Sequence, residues 1–197
     1  MKLVVATTNP HKLAEIRSIL VDLPIKLDSL DDYPIIEEPE ETGQTFADNA
    51  RLKVLHYARH LSAMTVSDDS GLEIDAIGGA PGVHSSRFNG ESYEEKFSVI
   101  HTELHARGVS TSTARFVCAI AVAKGEQLIF QTQETVEGYI ARECRGTGGF
   151  GYDPIFFYPP YGCTLAEVSA EAKAKVSHRG KAFRELRTFL ESVTPRR

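Results

Sequence analysis

The chain predicts a mixed α/β fold. Short apolar, β-prone runs alternate with amphipathic stretches of helical period, and two central strand-like runs meet at Lys124-Gly125-Glu126. A hairpin set among helix–strand alternations points to a mixed sheet, not a fully parallel one.

Lys2-Leu3-Val4-Val5-Ala6 reads as a short buried strand. Asn9 is then a favoured N-cap and Pro10 a favoured first helical residue, with Leu13, Ile16 and Leu20 on one helix face. Residues 21–44, rich in Pro, Asp and Glu, read as loop with one short strand. Thr45 and Asp48 resemble a capping box, opening an amphipathic helix through Phe46, Ala50, Val54, Tyr57 and Leu61. Met64-Thr65-Val66 is a strand expected to end at Ser67-Asp68-Asp69-Ser70-Gly71. Residues 78–82 form a Gly-rich loop, and a helix is expected over about 92–106. Residues 116–123 and 127–136 make the hairpin, and 155–158 a further strand. Ser177 caps a final helix carrying Ala182, Phe183, Leu186, Phe189 and Leu190.

A formal charge of −5 over 197 residues argues against a general nucleic-acid binder. No apolar run approaches the ~20 residues that span a bilayer, and the N-terminal stretch lacks a signal-peptide layout. Cys118, Cys144 and Cys163 are odd in number and have no CxxC spacing. They read as reduced thiols of a cytoplasmic protein.

Five clusters carry possible chemistry. Asp68 and Asp69 diverge to opposite faces of a strand, so one can face a site while the other faces the scaffold. Such carboxylates suit a hard cation such as Mg²⁺ and can polarise water; a strand ending in two solvated acids is the alternative. The second cluster is Thr7-Thr8-Asn9-Pro10-His11-Lys12. A helix N-terminus suits phosphate, and Lys12 in the first turn opposes the helix dipole, which an anionic ligand would explain. A plain capped helix with a solvated Lys is the alternative.

The third cluster, residues 145–154, satisfies G-x-G-x-x-G literally through Gly146, Gly148 and Gly151. Pro154 and Ile155-Phe156-Phe157 follow it, so no helix opens there and the dinucleotide fingerprint is excluded. The stretch reads as a flexible loop presenting Phe150 and Tyr152 to a planar ring, with Asp153 as acceptor; a Gly-rich turn with core aromatics is the alternative, and on this stretch alone the favoured one. The fourth, Lys173 with Ser177-His178-Arg179, could grip phosphate or lie as a solvated basic face. In the fifth, Glu37-Glu38-Pro39-Glu40-Glu41, one acid could supply a second metal ligand; a solvated acidic loop is the alternative and fits most of them. His56/His60 and His101/His105 have i, i+4 spacing but no H-E-x-x-H and no third ligand, so zinc is not expected. No P-loop and no Gly-x-Ser-x-Gly elbow is present.

The motifs occur in one order. Thr-x-Asn-x-x-Lys lies at 7–12, Glu-Glu-Thr-Gly at 40–43, Asp-Asp-Ser-Gly-Leu at 68–72 and Gly-Ala-Pro-Gly-Val at 79–83. Arg-Phe-x-Cys follows at 115–118, Gly-Thr-Gly-Gly-Phe-Gly-Tyr-Asp-Pro-Ile-Phe at 146–156 and Lys-x-x-x-Ser-His-Arg at 173–179. Over residues 2–190 the chain closely resembles the inosine triphosphate pyrophosphatase family, in its bacterial dITP/XTP pyrophosphatase form. It departs at His84-Ser85-Ser86-Arg87, where the family usually has Tyr-Ser-Ala-Arg.

The resemblance implies hydrolysis of ITP, dITP and XTP between the α- and β-phosphates, clearing deaminated purines from the nucleotide pool. It implies one domain over 1–197: an elongated mixed β-sheet flanked by helices, with two lobes and a central cleft. It further implies a homodimer acting on a purine nucleoside triphosphate, with no nucleic-acid or membrane partner. Substrate contacts carry over to Thr7, Thr8, Asn9, Pro10, His11, Lys12, Ser70, Phe150, Gly151, Tyr152, Asp153, Lys173, His178 and Arg179. The catalytic acid falls on Asp69, which also touches Mg²⁺. The second metal carboxylate falls on Glu40, with Glu41 its neighbour. Two rival readings are a pyrophosphatase for modified pyrimidine nucleotides and a non-catalytic nucleotide sensor. The Gly-Gly-Phe-Gly-Tyr-Asp and Ser-His-Arg motifs speak against the first, and the Asp pair against the second.

Overall fold

The computed structural model describes residues 1–193. Among them, seven strands form one sheet in the order β2-β1-β3-β4-β5-β6-β7. The strands are β1 (Lys2–Val5), β2 (Lys26–Ser29), β3 (Met64–Ile74), β4 (Thr113–Lys124), β5 (Gln127–Ile140), β6 (Phe156–Tyr158) and β7 (Cys163–Thr164). The helices are α1 (Pro10–Leu20), α2 (Phe46–Leu61), α3 (Tyr93–Ala106), α4 (Ala170–Val176) and α5 (His178–Val193). β1 pairs in parallel with β2 and β3, while β5, β6 and β7 pair antiparallel, so the sheet is mixed as expected. No helix of the described residues is long and apolar enough to cross a membrane.

The helix starts follow their caps. Asn9 Oδ1 accepts from the His11 and Lys12 N–H groups at 2.9 and 3.2 Å. Thr45 Oγ1 accepts from the Asp48 N–H at 3.1 Å. Each bond satisfies a donor that the first helical turn would otherwise leave open.

The main departure from expectation is β3, which does not end at Ser67–Gly71 but continues to Ile74. Leu72 and Ile74 are fully buried and hold the segment extended. Leu72 N–H donates to Ser85 Oγ at 2.9 Å, so its donor is satisfied by a side chain. β4 and β5 also outrun the expected hairpin, and the two short elements α4 and β7 were not expected. Asp153–Ile155 is a 3₁₀ turn, so β6 begins at Phe156. Ser177 lies between α4 and α5 in an extended conformation.

The chain divides into two compact units. The first comprises Met1–Asp69, Cys118–Glu134 and the residues from Arg179 onward; its core gathers Leu3, Ile16, Leu20, Val66, Ile120, Phe183 and Leu186. Cys118 is fully buried in that core, and burial pushes its thiol well up. The second comprises Ser70–Val117 and Thr135–His178, with Leu72, Ile74, Phe97, Ile100, Phe116, Ile140 and Phe156 in its core.

In the first unit Asp28 of β2 meets Lys2 Nζ and Lys26 Nζ, both at 3.0 Å, and accepts from Tyr33 Oη at 2.9 Å. Hydrogen bonds from Lys26, then Lys2 and Tyr33, hold its carboxyl at about 2. A carboxylate depressed on folding contributes stability that is full above its unfolded value of ~3.9 and is lost as pH falls toward the folded value. Melting temperatures followed from about pH 6 down to about pH 2 should therefore fall less steeply below about pH 4 in Asp28→Asn than in the wild type. Parallel curves would show that this cluster adds nothing to acid stability.

Candidate active site

In the first unit, strand alternation on β3 sends Asp68 and Asp69 to different partners. Asp68 is buried and accepts an ion pair from Lys12 Nζ at 2.9 Å, with Arg179 Nε at 3.7 Å. Arg179, itself buried, bonds Glu15 Oε2 at 2.6 Å. One alternating charge chain therefore runs through α1, β3 and α5. Burial opposes ionisation of Asp68, yet Lys12, then Arg179 and Lys53, hold its carboxyl well below the usual range. Lys12 sits against the helix dipole because Asp68 is its partner, so no ligand is needed to explain its position.

Asp69 accepts from Asn49 Nδ2 at 3.2 Å and from Lys53 Nζ at 3.4 Å. Lys53 also donates to Glu41 Oε1 at 2.7 Å. Asn49 Oδ1 in turn accepts from the Gly43 N–H at 2.8 Å, which anchors the loop carrying Glu41. A Cβ at Gly43 would come within 2.5 Å of that Asn49 oxygen, so the anchor requires glycine. Burial pushes the Asp69 carboxyl up; Lys53 opposes this and Glu41 adds to it. A carboxyl raised in this way is a stronger proton acceptor than a solvated one.

The structure brings Glu41, not the exposed Glu40, to Asp69. Among the described residues no group of three or more His, Cys, Asp or Glu is gathered for a metal. Glu41 and Asp69 nevertheless share one ammonium. Mg²⁺ is commonly held by one or two carboxylates and takes its other oxygens from phosphate and water, so this pair fits the ion. The His56 and His60 ring nitrogens bond the Glu37 and His56 carbonyls.

Of the helix-start residues, Thr8, Pro10 and His11 are exposed, while Thr7, Asn9 and Lys12 are half-buried. Thr7 Oγ1 accepts from the Asn9 N–H at 3.2 Å.

In the second unit, Asp153 is 1% exposed and its Oδ2 accepts from the Phe150 N–H at 2.8 Å and from Lys173 Nζ at 2.6 Å. Lys173 Nζ also lies 4.3 Å over the Phe150 ring. Gly149 has φ +68°, and a Cβ there would collide with the Asp153 carboxylate. The structure differs here from the reading of Tyr152 as presented to a planar ring and of Asp153 as an acceptor beside it. The Tyr152 ring is in the core and its hydroxyl donates to Ser85 O at 2.8 Å, while the Asp153 carboxylate braces the loop from inside. Phe150, half-buried, is the aromatic left nearer the surface, with half-buried Gly151 beside it. Ser70 is half-buried on β3. His178 is buried and stacks on Phe116 with centroids 4.8 Å apart. Lys173, His178 and Arg179 are all buried, so they do not form a solvated basic face.

The sequence reading missed Asn49, Lys53 and Glu15. The first two had a signal: both fall on the apolar stripe of α2, where a polar side chain must find a buried partner.

A model of the Ham1 family matches residues 3–189. A dITP/XTP pyrophosphatase of Exiguobacterium sp. is 44% identical over 187 residues, covering 94% of this chain and 95% of that protein. One from Listeria monocytogenes is 44% identical over 195 residues, covering 98% and 96%. Among solved structures, a HAM1 protein from Coxiella burnetii superposes with a TM-score of 0.91 at 39% identity, covering 98% of this chain and all of that one.

Removing the Asp68 charge should destabilise the protein without removing a core contact. Asp68→Asn leaves Lys12 and Arg179 facing a neutral amide. A loss of about 3–5 kcal/mol is expected from urea unfolding, the usual result of breaking a buried pair. A loss below ~1 kcal/mol, as for a surface pair, would contradict this account.

Proposed function

The chain belongs to the Ham1 family, and from that premise we propose that it hydrolyses nonstandard purine nucleoside triphosphates, dITP, ITP and XTP, to the monophosphate and pyrophosphate. The observation that carries the proposal is the state of Asp69: buried, raised, and joined through Lys53 to a second carboxylate. The relatives named as dITP/XTP pyrophosphatases support the same reading.

In this reading Asp69 accepts a proton from the attacking water, and Asn49 and Lys53 fix the direction of its carboxylate. Glu41 and Asp69 would hold Mg²⁺, which supplies charge neutralisation for the leaving pyrophosphate. Lys12 and Arg179 compensate triphosphate charge, Lys12 by sharing its ammonium between Asp68 and a phosphate oxygen. Thr7–His11 line the triphosphate at the start of α1, with Ser70 beside Asp69 in sequence. Phe150 stacks on the base with one face, its other face being covered by Lys173. His178 contributes to recognition of the base edge. The protein then acts on free nucleotides in the cytoplasm as a homodimer, each chain one domain of two lobes.

Steady-state kinetics of pyrophosphate release test the substrate class. With Mg²⁺ at alkaline pH, kcat/KM for dITP and XTP should exceed that for dATP by about two orders of magnitude or more, because a site that bonds a 6-oxo group leaves buried donors unpaired against a 6-amino group. The margin over dGTP should be narrower, since it depends on exclusion of the 2-amino group. Equal rates on dITP and dATP would make this a general nucleotide pyrophosphatase. Asp69→Asn should nearly abolish turnover while keeping a cooperative unfolding transition; near-normal turnover at saturating Mg²⁺ would remove Asp69 from the mechanism.

A further inference from the structure

Tyr93 belongs to none of the sequence motifs, yet it stands against the loop that carries Phe150. It is the first residue of α3, whose start is fixed by a reciprocal capping box between Ser92 and Glu95. Glu95 Oε2 also accepts from the Glu91 N–H at 2.7 Å, so the backbone on both sides of Tyr93 is held. The ring meets Tyr152 edge-on, with centroids 5.3 Å apart at 90°. Lys96 Nζ lies 4.8 Å over the ring and donates to Ser86 O at 2.6 Å.

On the loop side, a Cβ built on Gly151 would lie 3.6 Å from the Tyr93 hydroxyl and 3.7 and 3.8 Å from two ring carbons. A side chain at Gly151 would fill the space beside the tyrosine ring, which the glycine leaves open. Residues 150–153 are held from within by Asp153, which takes the Phe150 N–H, and by Tyr152, bonded to Ser85 O. Tyr93 packs edge-on against Tyr152 from the helix side. It is 38% exposed, so it is an incompletely buried aromatic whose contacts are with the loop and its own helix.

We propose that the Tyr93 ring is a positioning residue for base discrimination: it buttresses Tyr152 and so fixes the plane that Phe150, two residues before it, presents to the base. This rests on the base-binding reading of residues 150–153. A site separates two purines differing at one edge group only if its contacting groups keep their geometry to within about half an ångström. The ring carries the effect, because the packing on Tyr152 and under Lys96 is made by the ring.

Tyr93→Ala and Tyr93→Phe, each with two readouts, test the proposal. In the unliganded protein, amide hydrogen exchange across residues 146–153 should quicken several-fold to about tenfold in Tyr93→Ala, as expected for loss of an aromatic pair, and stay at the wild-type rate in Tyr93→Phe. In kinetics well below the melting temperature, the ratio of kcat/KM for dITP to that for dATP should fall by a similar factor in Tyr93→Ala, through a raised KM for dITP, and be retained in Tyr93→Phe. A merely destabilised protein loses activity on both substrates alike and keeps the ratio. Unchanged exchange in Tyr93→Ala overturns the proposal, as does an equal effect of Tyr93→Phe, which would transfer the role to the hydroxyl. If the wild type shows no preference for dITP, the substrate reading fails on its own, and the exchange measurement still decides whether Tyr93 braces the loop.

Discussion

A buried carboxylate is unfavourable by several kcal/mol unless cations and donors meet it, and β3 buries two in succession. Because neighbouring side chains on a strand point to opposite faces, no single set of partners can serve both. Much of the first unit's polar architecture answers this constraint. Asp68 draws Lys12 from α1 and Arg179 from α5, and Arg179 draws Glu15. Asp69 draws Asn49 and Lys53 from α2, and Lys53 draws Glu41 from the preceding loop. The outcomes are opposite. Asp68 is held firmly ionised, a fixed charge of the scaffold, whereas burial pushes the Asp69 carboxyl up. Adjacent residues of one strand thus end in opposite electrostatic states.

The second unit applies the same rule at Asp153. Its carboxylate is nearly inaccessible and is balanced by Lys173 and by a backbone donor from its own loop. That balance lets a glycine-rich stretch hold a defined shape, so the loop read as flexible in the sequence is internally braced. Glycine is needed at Gly149 for the close approach of that carboxylate, not for mobility.

Much of this was legible in the sequence, and the exceptions have physical causes. Helix starts were readable because capping is local: Asn9 and Thr45 bond the residues two or three positions ahead. The mixed sheet followed from the hairpin at Lys124-Gly125-Glu126. The length of β3 was hidden, because Gly71 looks like a terminator until Leu72 and Ile74 are seen buried beyond it. That Glu41, not Glu40, pairs with Lys53 was equally hidden, since the loop is anchored by a Gly43–Asn49 bond closed across six residues. Tyr152 carried two possible roles, core and recognition, and only its bond to Ser85, 67 residues away in sequence, assigns the ring to the core. Long-range partners are what a single sequence does not print.

The three thiols occupy different environments, and this gives the molecule a chemical clock. Cys144 is exposed and Cys163 partly so, while Cys118 is sealed in the first unit's core with its thiol pushed well up. Alkylation needs both access and thiolate. Modification at Cys118 therefore waits for that core to open, whereas Cys144 takes the reagent in the folded state. The difference in labelling time between them measures, in the unmodified chain and without a spectroscopic probe, how often the core beneath the Asp68–Asp69 strand breathes.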